Sequence, residues 1–246
     1  EAKSGIHYGT FKVFVNYIPI ADITFLHPTI FKNIQKDAIK INGIKYAPPN
    51  FLRMSMYLEL SRPDGDVSRW EKVLKRLTLL NKYHPLDNKK CENVKYNTNN
   101  DSPTSELNTL IRDTIIDNDG VFFGGYSSYL YSKYMDKNEK DIMSSISDFD
   151  ILSEDPMKLA NIIVERLKDN DIKHVKHIHY KEIGEIIPEH CEIKINDKSY
   201  VVIYKTIACH SYNKITISGR AINVASIETI LSCLLYTSPS PRDTNE

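Results

Sequence analysis

Two stretches of this chain show the same order of predicted elements, and this internal repeat constrains the fold most strongly. Residues 11–34 and 41–60 read as strand, turn, strand, loop, short strand and helix, and so do residues 191–215 and 217–235. The copies are offset by about 180 residues at the strand pair and by about 178 at the segment that follows. We therefore expect the back half of one domain, followed by nearly the whole of a second domain of the same type.

The segment ahead of the second copy contains an apolar run that ends in a glycine pair. Gly124 and Gly125 are followed by the hydroxyl residues Ser127 and Ser128, at the start of a predicted helix. Glycine has no Cβ, so the backbone can approach a ligand closely, and N–H groups at a helix start can bind phosphate oxygens. This pattern predicts a nucleotide-binding turn made of these four residues.

Two carboxylates follow the glycine pair after a polar stretch. Asp148 and Asp150 are one residue apart in a predicted strand, so both side chains point to one face while Phe149 packs into the other. Mg²⁺ prefers one or two carboxylates together with substrate phosphates, and two such ions stabilise the attacking and leaving oxygens of a phosphoryl transfer. The pair is therefore a candidate metal site. The long spacing from the glycine pair predicts an insertion or a helix extension at residues 137–147.

The two copies differ in a third carboxylate. The second strand of the first copy holds Asp22 among apolar neighbours, whereas the matching residues 200–203 contain no acid. If the first copy is catalytic, Asp22 is the third metal ligand and the second copy is a degenerate partner. If the second copy is catalytic, Asp148 and Asp150 bind the metals, and another acid or a water completes the ligand shell. Loss of the third carboxylate favours the first interpretation, and a strand-edge acid facing water is the structural alternative for Asp22.

A predicted helix with a basic side lies between the copies. Apolar residues recur at helical intervals over residues 67–77, and another side of the helix carries Arg69, Lys72 and Arg76. Two interpretations remain open. The basic side is either the solvated surface of a packing helix or an edge at which these three cations follow an RNA backbone.

The overall composition is that of a globular protein without bulk charge. Hydrophobic residues make up 41% of the chain, and its 32 basic and 32 acidic residues cancel. Neutrality argues against a protein that coats nucleic acid through bulk charge, although it permits a local basic surface. The four cysteines show no C-x-x-C spacing, so neither a zinc site nor a disulfide framework is predicted, and a reduced intracellular setting is expected. The lack of a long apolar run argues against a membrane-spanning segment.

Several motifs together resemble one enzyme family. They are FLRMSMYLELSRPDGDVSRWEKVLKRLTLLNKYHPL, FFGGYSSYL, SDFDIL, ACHSYN and GRAINVAS. In these motifs the chain resembles the poly(A) polymerase catalytic subunits of large nucleocytoplasmic DNA viruses, the giant-virus branch in particular. The resemblance covers roughly residues 5–234, and residues 62–77 are its most specific part. The chain departs from the family pattern because the second copy lacks the third acid and no D-x-D precedes the first copy.

The resemblance implies a fold and a domain order. It implies an α+β protein with tandem nucleotidyltransferase domains of the DNA polymerase β type, the first of them truncated at its N-terminus. The back half of the first domain is then residues 1–60, the basic helix and a flexible linker are residues 61–110, and the second domain is residues 111–234. Residues 235–246 are a polar run containing Ser and Pro that is typical of an artefactual or disordered tail.

The resemblance also implies an activity. Such an enzyme adds AMP from ATP to RNA 3′ ends without a template, with Mg²⁺ or Mn²⁺ as cofactor, and so polyadenylates viral mRNA. RNA 3′ ends and ATP are then its partners, a homodimer is a further expectation, and the location is the cytoplasm of the infected host cell, in a viral factory or virion. One alternative is a catalytically silent nucleotidyltransferase-like module for RNA binding or dimerisation. Another is a different transferase of the superfamily, such as a CCA-adding or small-molecule nucleotidylating enzyme.

Overall fold

The chain divides into two compact units. The computed structural model describes residues 10–61, 66–86, 105–132, 137, 148–183, 187–217 and 219–237. The first unit consists of Glu1–Cys91 with Ile183–Ile187 and Leu235–Glu246, and the second consists of Glu92–Glu182 with Pro188–Leu234. Most of the predicted linker, the predicted insertion and the predicted tail lie outside the described residues.

The first unit contains two separate hairpins and three helices. In chain order the elements are β1 (Thr10–Val15), β2 (Ile18–Thr24), α1 (Pro28–Lys36), β3 (Ile39–Ile41), β4 (Ile44–Tyr46), α2 (Pro49–Ser61) and α3 (Trp70–Tyr83). β1 pairs with β2 and β3 pairs with β4, both antiparallel, and each hairpin is a two-stranded sheet among the described residues.

Helix α1 corrects the loop that the sequence predicted between the hairpins. It has a proline in its first turn, and Nδ1 of His27 accepts a hydrogen bond from the backbone N–H of Thr29 at 3.4 Å. Proline is favoured in a first helical turn because its missing N–H would have no intrahelical partner there. The signal for a helix start was therefore present in the sequence.

Helices α2 and α3 pack on each other through a small apolar contact. Leu58, Val73 and Leu77 are buried, whereas Val67 and Leu74, which share the helical periodicity, are more than half exposed. The periodicity thus predicted the helix correctly and its buried side only in part. A short 3₁₀ turn, Val67–Arg69, precedes α3. The carboxylate of its cap residue, Asp66, accepts hydrogen bonds from the backbone N–H and the hydroxyl of Ser68.

The second unit is built on one seven-stranded mixed sheet. Its elements are α4 (Ser105–Asp117), β5 (Val121–Phe123), α5 (Gly124–Leu130), β6 (Phe149–Ser153), α6 (Pro156–Asp169), β7 (Val175–Tyr180), β8 (His190–Ile195), β9 (Lys198–Lys205), β10 (Tyr212–Ile217), β11 (Arg220–Ala225) and α7 (Ile227–Thr237), which belongs to this unit as far as Leu234. The strand order is β10-β11-β5-β6-β9-β8-β7. β5 is antiparallel to β6, and this central strand pair lies between the β10–β11 hairpin and the β8–β9 hairpin.

Each face of this sheet is covered by helices. Apolar side chains of α4 and α6 pack on one face, where Ile151, Ile193 and Ile203 are fully buried. On the other face Val202 and Leu152 belong to a second apolar cluster that includes side chains of α7. Successive residues of a strand alternate between the faces, so the continuous apolar character of β6 and β9 follows from burial on both sides.

An ion network joins α4 to α6 and β11. Nη1 of Arg166 lies 2.9 Å from Oδ2 of Asp117, and Arg220 contacts the carboxylates of both Asp113 and Asp117. The hydrogen bond from Arg166 is the main cause that lowers the pKa of Asp117 below its ordinary value, and the hydrogen bond from Arg220 adds to it. The network therefore holds the end of α4 against two neighbouring elements.

The first hairpin of each unit, β1–β2 in the first unit and β8–β9 in the second, matches the other residue for residue. Both turns have two residues in the left-handed region, at Asn16 (φ 49°) and Tyr17 (φ 63°) and at Asn196 (φ 50°) and Asp197 (φ 63°). Both also shift register at the same place, 180 residues apart, between Val13 and Phe14 in one and between Ile193 and Lys194 in the other. A shared turn and a shared bulge fix the strand register, so position 22 corresponds to position 202.

The second hairpin of each unit, β3–β4 in the first unit and β10–β11 in the second, also corresponds, but the residue offset differs from the predicted one. Gly43 (φ 83°) and Gly219 (φ 79°) occupy their turns, so the offset is 219 minus 43, or 176, rather than about 178. Turn glycines with positive φ mark the register more firmly than the apolar pattern does, and the length difference lies where only the first unit has α1.

Candidate active site

The two carboxylates of the second unit lie at the start of strand β6. Asp148 directly precedes the strand, and Asp150 is its second residue. Phe149 is buried, and its ring packs against those of Phe122 and Tyr126, with centroid distances of 5.8 Å and 5.2 Å. Because neighbouring strand residues point to opposite faces, Asp150 faces away from this aromatic cluster.

The glycine pair lies directly beside Asp150. Phe123, the last residue of β5, is opposite Asp150 in the antiparallel pair, and Gly124 begins α5 with a φ of 66°. A Cβ on Gly124 would lie 2.2 Å from Oδ2 of Asp150. Glycine is therefore required here for two reasons, the left-handed backbone and the close approach of a carboxylate. The sequence suggested only the approach of a phosphate.

The two serine hydroxyls are differently placed. Oγ of Ser128 donates a hydrogen bond to the carbonyl oxygen of Gly124 at 2.9 Å, one helical turn earlier. Ser127 is completely buried, and its Oγ has no hydrogen-bond partner among the described residues. A phosphate bound by Ser128 would have to replace that internal hydrogen bond. Helix α5 is seven residues long, and the nucleotide-binding role of its first turn stays a prediction.

The neighbours of Asp150 on the sheet are apolar. On the adjacent parallel strand β9, Val202 lies opposite Asp150 and is 5% exposed. Burial, with a smaller contribution from the charge of Asp150, raises the pKa of the Cys233 thiol to about 12. This thiol is therefore a neutral group near Asp150. Within the described ranges, no group of three or more His, Cys, Asp or Glu side chains converges to hold a metal ion.

Asp22 occupies the position that Val202 holds in the second unit. It lies on β2, opposite Lys12 of β1, and is exposed. In the second unit this strand position is paired directly with Asp150 of β6. A strand that paired with β2 as β6 pairs with β9 would thus bring an aspartate at the equivalent of position 150 next to Asp22.

The first hairpin exposes side chains that the second unit buries. Phe11 and Ile23 are 46% and 48% exposed, whereas their equivalents Cys191 and Ile203 are both 0% exposed. In the second unit, the burial comes from the central strand pair and from the helices that pack on the sheet. The first hairpin therefore has side chains like those of a buried sheet, but no element among the described residues covers them.

The three predicted RNA-binding cations, at the start of α3 and on it, differ in whether they are paired with a carboxylate. Nη1 of Arg69 lies 3.3 Å from Oε1 of Glu59, a carboxylate that is nearly buried. Lys72 and Arg76 are exposed, and neither forms an ion pair with another residue in the part of the chain that the structure describes. Arg69 is thus engaged within its own unit, and the sequence did not indicate this because Glu59 lies ten positions earlier, in the preceding helix.

Comparison with known proteins connects this geometry to a family. Residues 1–66 match the family of poly(A) polymerase catalytic subunits. A protein named as such a subunit in Acanthamoeba polyphaga mimivirus is 31% identical over 88 residues, which are 35% of this chain and 15% of that protein. Its namesake in African swine fever virus (strain Badajoz 1971 Vero-adapted) is 30% identical over 87 residues, 33% of this chain and 18% of that protein. The chain is similar to viral poly(A) polymerase catalytic subunits.

The predicted resemblance is thereby confirmed, and a solved structure extends it to the fold. The crystal structure of the Megavirus polyadenylate synthase superposes with a TM-score of 0.70 and 18% identity, covering 93% of this chain and 46% of that one. The chain thus shares the fold of that synthase, and its mixed helix and sheet class is as predicted. It spans less than half of the synthase, and its matched segments span less than a fifth of the two viral relatives. None of the described helices is long and apolar enough to cross a membrane.

Proposed function

We propose that this chain is part of a polynucleotide adenylyltransferase that adds AMP from ATP to RNA 3′ ends without a template. The observation that carries the proposal is the equivalence of Asp22 and Val202, because it puts a carboxylate in the first unit where the paired-strand geometry needs one. The similarity of residues 1–66 to poly(A) polymerase catalytic subunits supports the same unit as the catalytic one. The reaction would serve viral mRNA in the cytoplasm of an infected cell.

The proposal includes two nucleotidyltransferase-like units in tandem. The first unit would receive a strand pair equivalent to β5 and β6, bearing its own glycine turn and D-x-D, on the edges of β2 and β4 that no described strand occupies. The matched turns and bulges of the two hairpins support this arrangement, and so does the exposure of Phe11 and Ile23. A homodimer is a further part of the proposal.

The donor set suits Mg²⁺ or Mn²⁺. Asp22 and an aspartate pair from the proposed strand would hold the ions by carboxylate oxygens, the ligands that these hard cations prefer. When bound, such ions stabilise the negative charge that develops on the attacking and leaving oxygens. Asp22 itself would hold its carboxylate at the centre of β2, where strand pairing fixes its backbone. Lys12 is the residue opposite it on β1.

The second unit would then be a degenerate partner with an architectural or RNA-binding role. Its Asp148 and Asp150 remain, but Val202 replaces the third carboxylate, and a neutral buried thiol lies near Asp150. In the alternative, a catalytic second unit, another acid or a water would complete the ligand shell of Asp148 and Asp150. A wholly silent module is the second candidate function, favoured by the lack of a third converging acid in the described ranges.

The test is RNA primer extension by the intact protein that carries this sequence. Asp22→Ala should abolish ATP-dependent extension, since loss of a metal ligand typically costs several kcal/mol of transition-state stabilisation. Asp148→Ala and Asp150→Ala should cost far less. Lys12→Ala is the matched control, because it removes the cross-strand partner of Asp22 and no metal ligand.

The readout is tail length against time at matched folding and metal concentration. Full activity of Asp22→Ala together with loss in Asp148→Ala would assign catalysis to the second unit. Unaltered extension in all three aspartate variants would reject the site, and an intact protein that never extends RNA would support the silent module.

A further inference from the structure

Helix α3 presents a continuous exposed strip that is distinct from its buried side. Lys72, Arg76, Leu79 and Tyr83 follow one another at intervals of four, three and four residues, which places them on one side of a helix. Leu79 and Tyr83 are 56% and 68% exposed, and the two cations are exposed as well. At 1.5 Å per residue the strip is about 16 Å long.

The charge of this strip is available for an anionic partner. Two other cations near the helix are already paired, Arg69 with Glu59 at 3.3 Å and Lys75 with Glu71 at 2.7 Å. Lys72 and Arg76 form no such pair within the described residues. Helix α3 contains four basic residues and one acidic residue, so its field is positive although the whole chain is neutral.

Tyr83 ends the strip, on a helical turn that is held by a side chain of α2. The buried side chain of Arg53, on α2, donates from Nε to Oδ1 of Asn81 at 2.8 Å and from its guanidinium to the carbonyl oxygen of His84. A cation that binds the last carbonyls of a helix stabilises that end. Arg53 therefore fixes the turn that carries Tyr83, and Nζ of Lys82 lies 5.4 Å from the centroid of the tyrosine ring.

We propose that this strip, made of Lys72, Arg76, Leu79 and Tyr83, binds single-stranded RNA. Lys72 and Arg76 would contact successive phosphates, and a base would stack on Tyr83, which is how proteins bind single strands without reading sequence. Nothing in the strip presents hydrogen-bonding groups in a pattern that would select one base. The proposal rests on the proposed function for the identity of the nucleic acid, and it involves none of the proposed metal ligands.

The test is equilibrium binding of the chain to a fluorescent oligoadenylate RNA, without ATP or metal, over a range of salt concentrations. Lys72→Gln combined with Arg76→Gln should weaken binding and lower the slope of log K against log salt by about 0.7 for each phosphate that the variant no longer neutralises. Tyr83→Ala should weaken binding by about 5-fold or more, as expected when one base can no longer stack on an aromatic ring. Tyr83→Phe keeps the ring and should bind as the wild type does.

Lys75→Gln is the matched control, because it removes one positive charge from the same helix at a residue that is paired with Glu71. Equal loss in this control would overturn the proposal, since bulk charge would then explain the binding. An unchanged salt slope in the double variant, or unchanged binding of Tyr83→Ala, would overturn it as well. So would competition by polyglutamate as effective as that by RNA, which would indicate an acidic protein as the partner.

The outcome is separable from that of the proposed function. Asp22→Ala should bind RNA like the wild type, because Asp22 is not part of the strip. Strip-dependent RNA binding in a protein that never extends a primer would contradict only the proposed function. If the protein extended a primer and the strip variants bound RNA as tightly as the wild type, only the proposed RNA-binding role of the strip would be overturned.

Discussion

Gly124→Ala should destabilise the second unit far more than an ordinary glycine substitution does. At a φ of 66° the backbone is left-handed, and an L-residue there costs about 1–2 kcal/mol. The new Cβ would also lie 2.2 Å from Oδ2 of Asp150, so the carboxylate or the helix start must move. Such overpacking adds about 1–3 kcal/mol. The expected loss is therefore about 2–5 kcal/mol.

Gly219→Ala is the matched control in the same unit. Its φ of 79° imposes a similar backbone cost, but a Cβ there would meet no atom within 4 Å. The control should therefore lose about 1–2 kcal/mol. The difference between the two variants isolates the contact with Asp150, and at a urea m-value of about 2 kcal/mol/M it moves the midpoint by roughly 0.5–1.5 M.

The assay must report on the second unit. Trp70 is the single tryptophan and lies on α3 of the first unit, so its fluorescence follows the wrong unit. Amide hydrogen exchange at β5 and β6, measured at increasing urea concentrations, reports on unfolding of the second unit. Gly124→Ala combined with Asp150→Ala should recover most of the overlap cost, because only the Cβ of residue 150 then remains near. Equal stability of Gly124→Ala and Gly219→Ala would refute the close approach.

Two further predictions concern electrostatics and the missing carboxylate. The pKa of Asp117 is lowered in the folded state, so its stabilising contribution is complete above the ordinary pKa of 3.8 and is lost as the pH falls below that value. Asp117→Asn should therefore flatten the acid side of a stability profile measured by thermal melting between pH 3 and pH 7. A profile as steep as that of the wild type would contradict this. In the presence of a chelator, Val202→Asp should lower the midpoint of thermal unfolding, because a buried carboxylate beside Asp150 is costly. Mn²⁺ should restore much of the lost stability. If Mn²⁺ stabilised the variant and the wild type equally, position 202 would not face the carboxylate pair.

The sequence predicted those parts of the fold that depend on short-range patterns. The strand, turn and strand order of both first hairpins is correct, since alternating apolar residues flank turns such as Asn196-Asp197. The sequence singled out Gly124 and Asp150 as members of two separate motifs, and in the structure they lie side by side. Helix α1 was missed even though its proline and its cap residue were visible, because the apolar residues at its start read as loop and strand.

Long-range partners could not be derived in the same way. The buried Arg53 and its contacts with Asn81 and His84 join residues about 30 positions apart, and nothing local marks an arginine as buried. The ion pair of Arg69 with Glu59 depends on how α2 packs against α3. Sequence periodicity places a side chain on a side of a helix, but only tertiary packing decides whether that charge is exposed or paired.

One strand position shows how a shared backbone supports two different chemistries. At position 202 the second unit has a valine between β6 and β8, where burial of an apolar side chain stabilises the sheet at no electrostatic cost. An aspartate in the same place would be costly unless a cation neutralised it. The first unit carries that aspartate as Asp22, in a hairpin with an otherwise identical turn and bulge. Asp22 is exposed in the structure, so it bears no such cost and its carboxylate is accessible to a cation. We therefore propose the first unit as the stronger candidate for catalysis and the second for structural support.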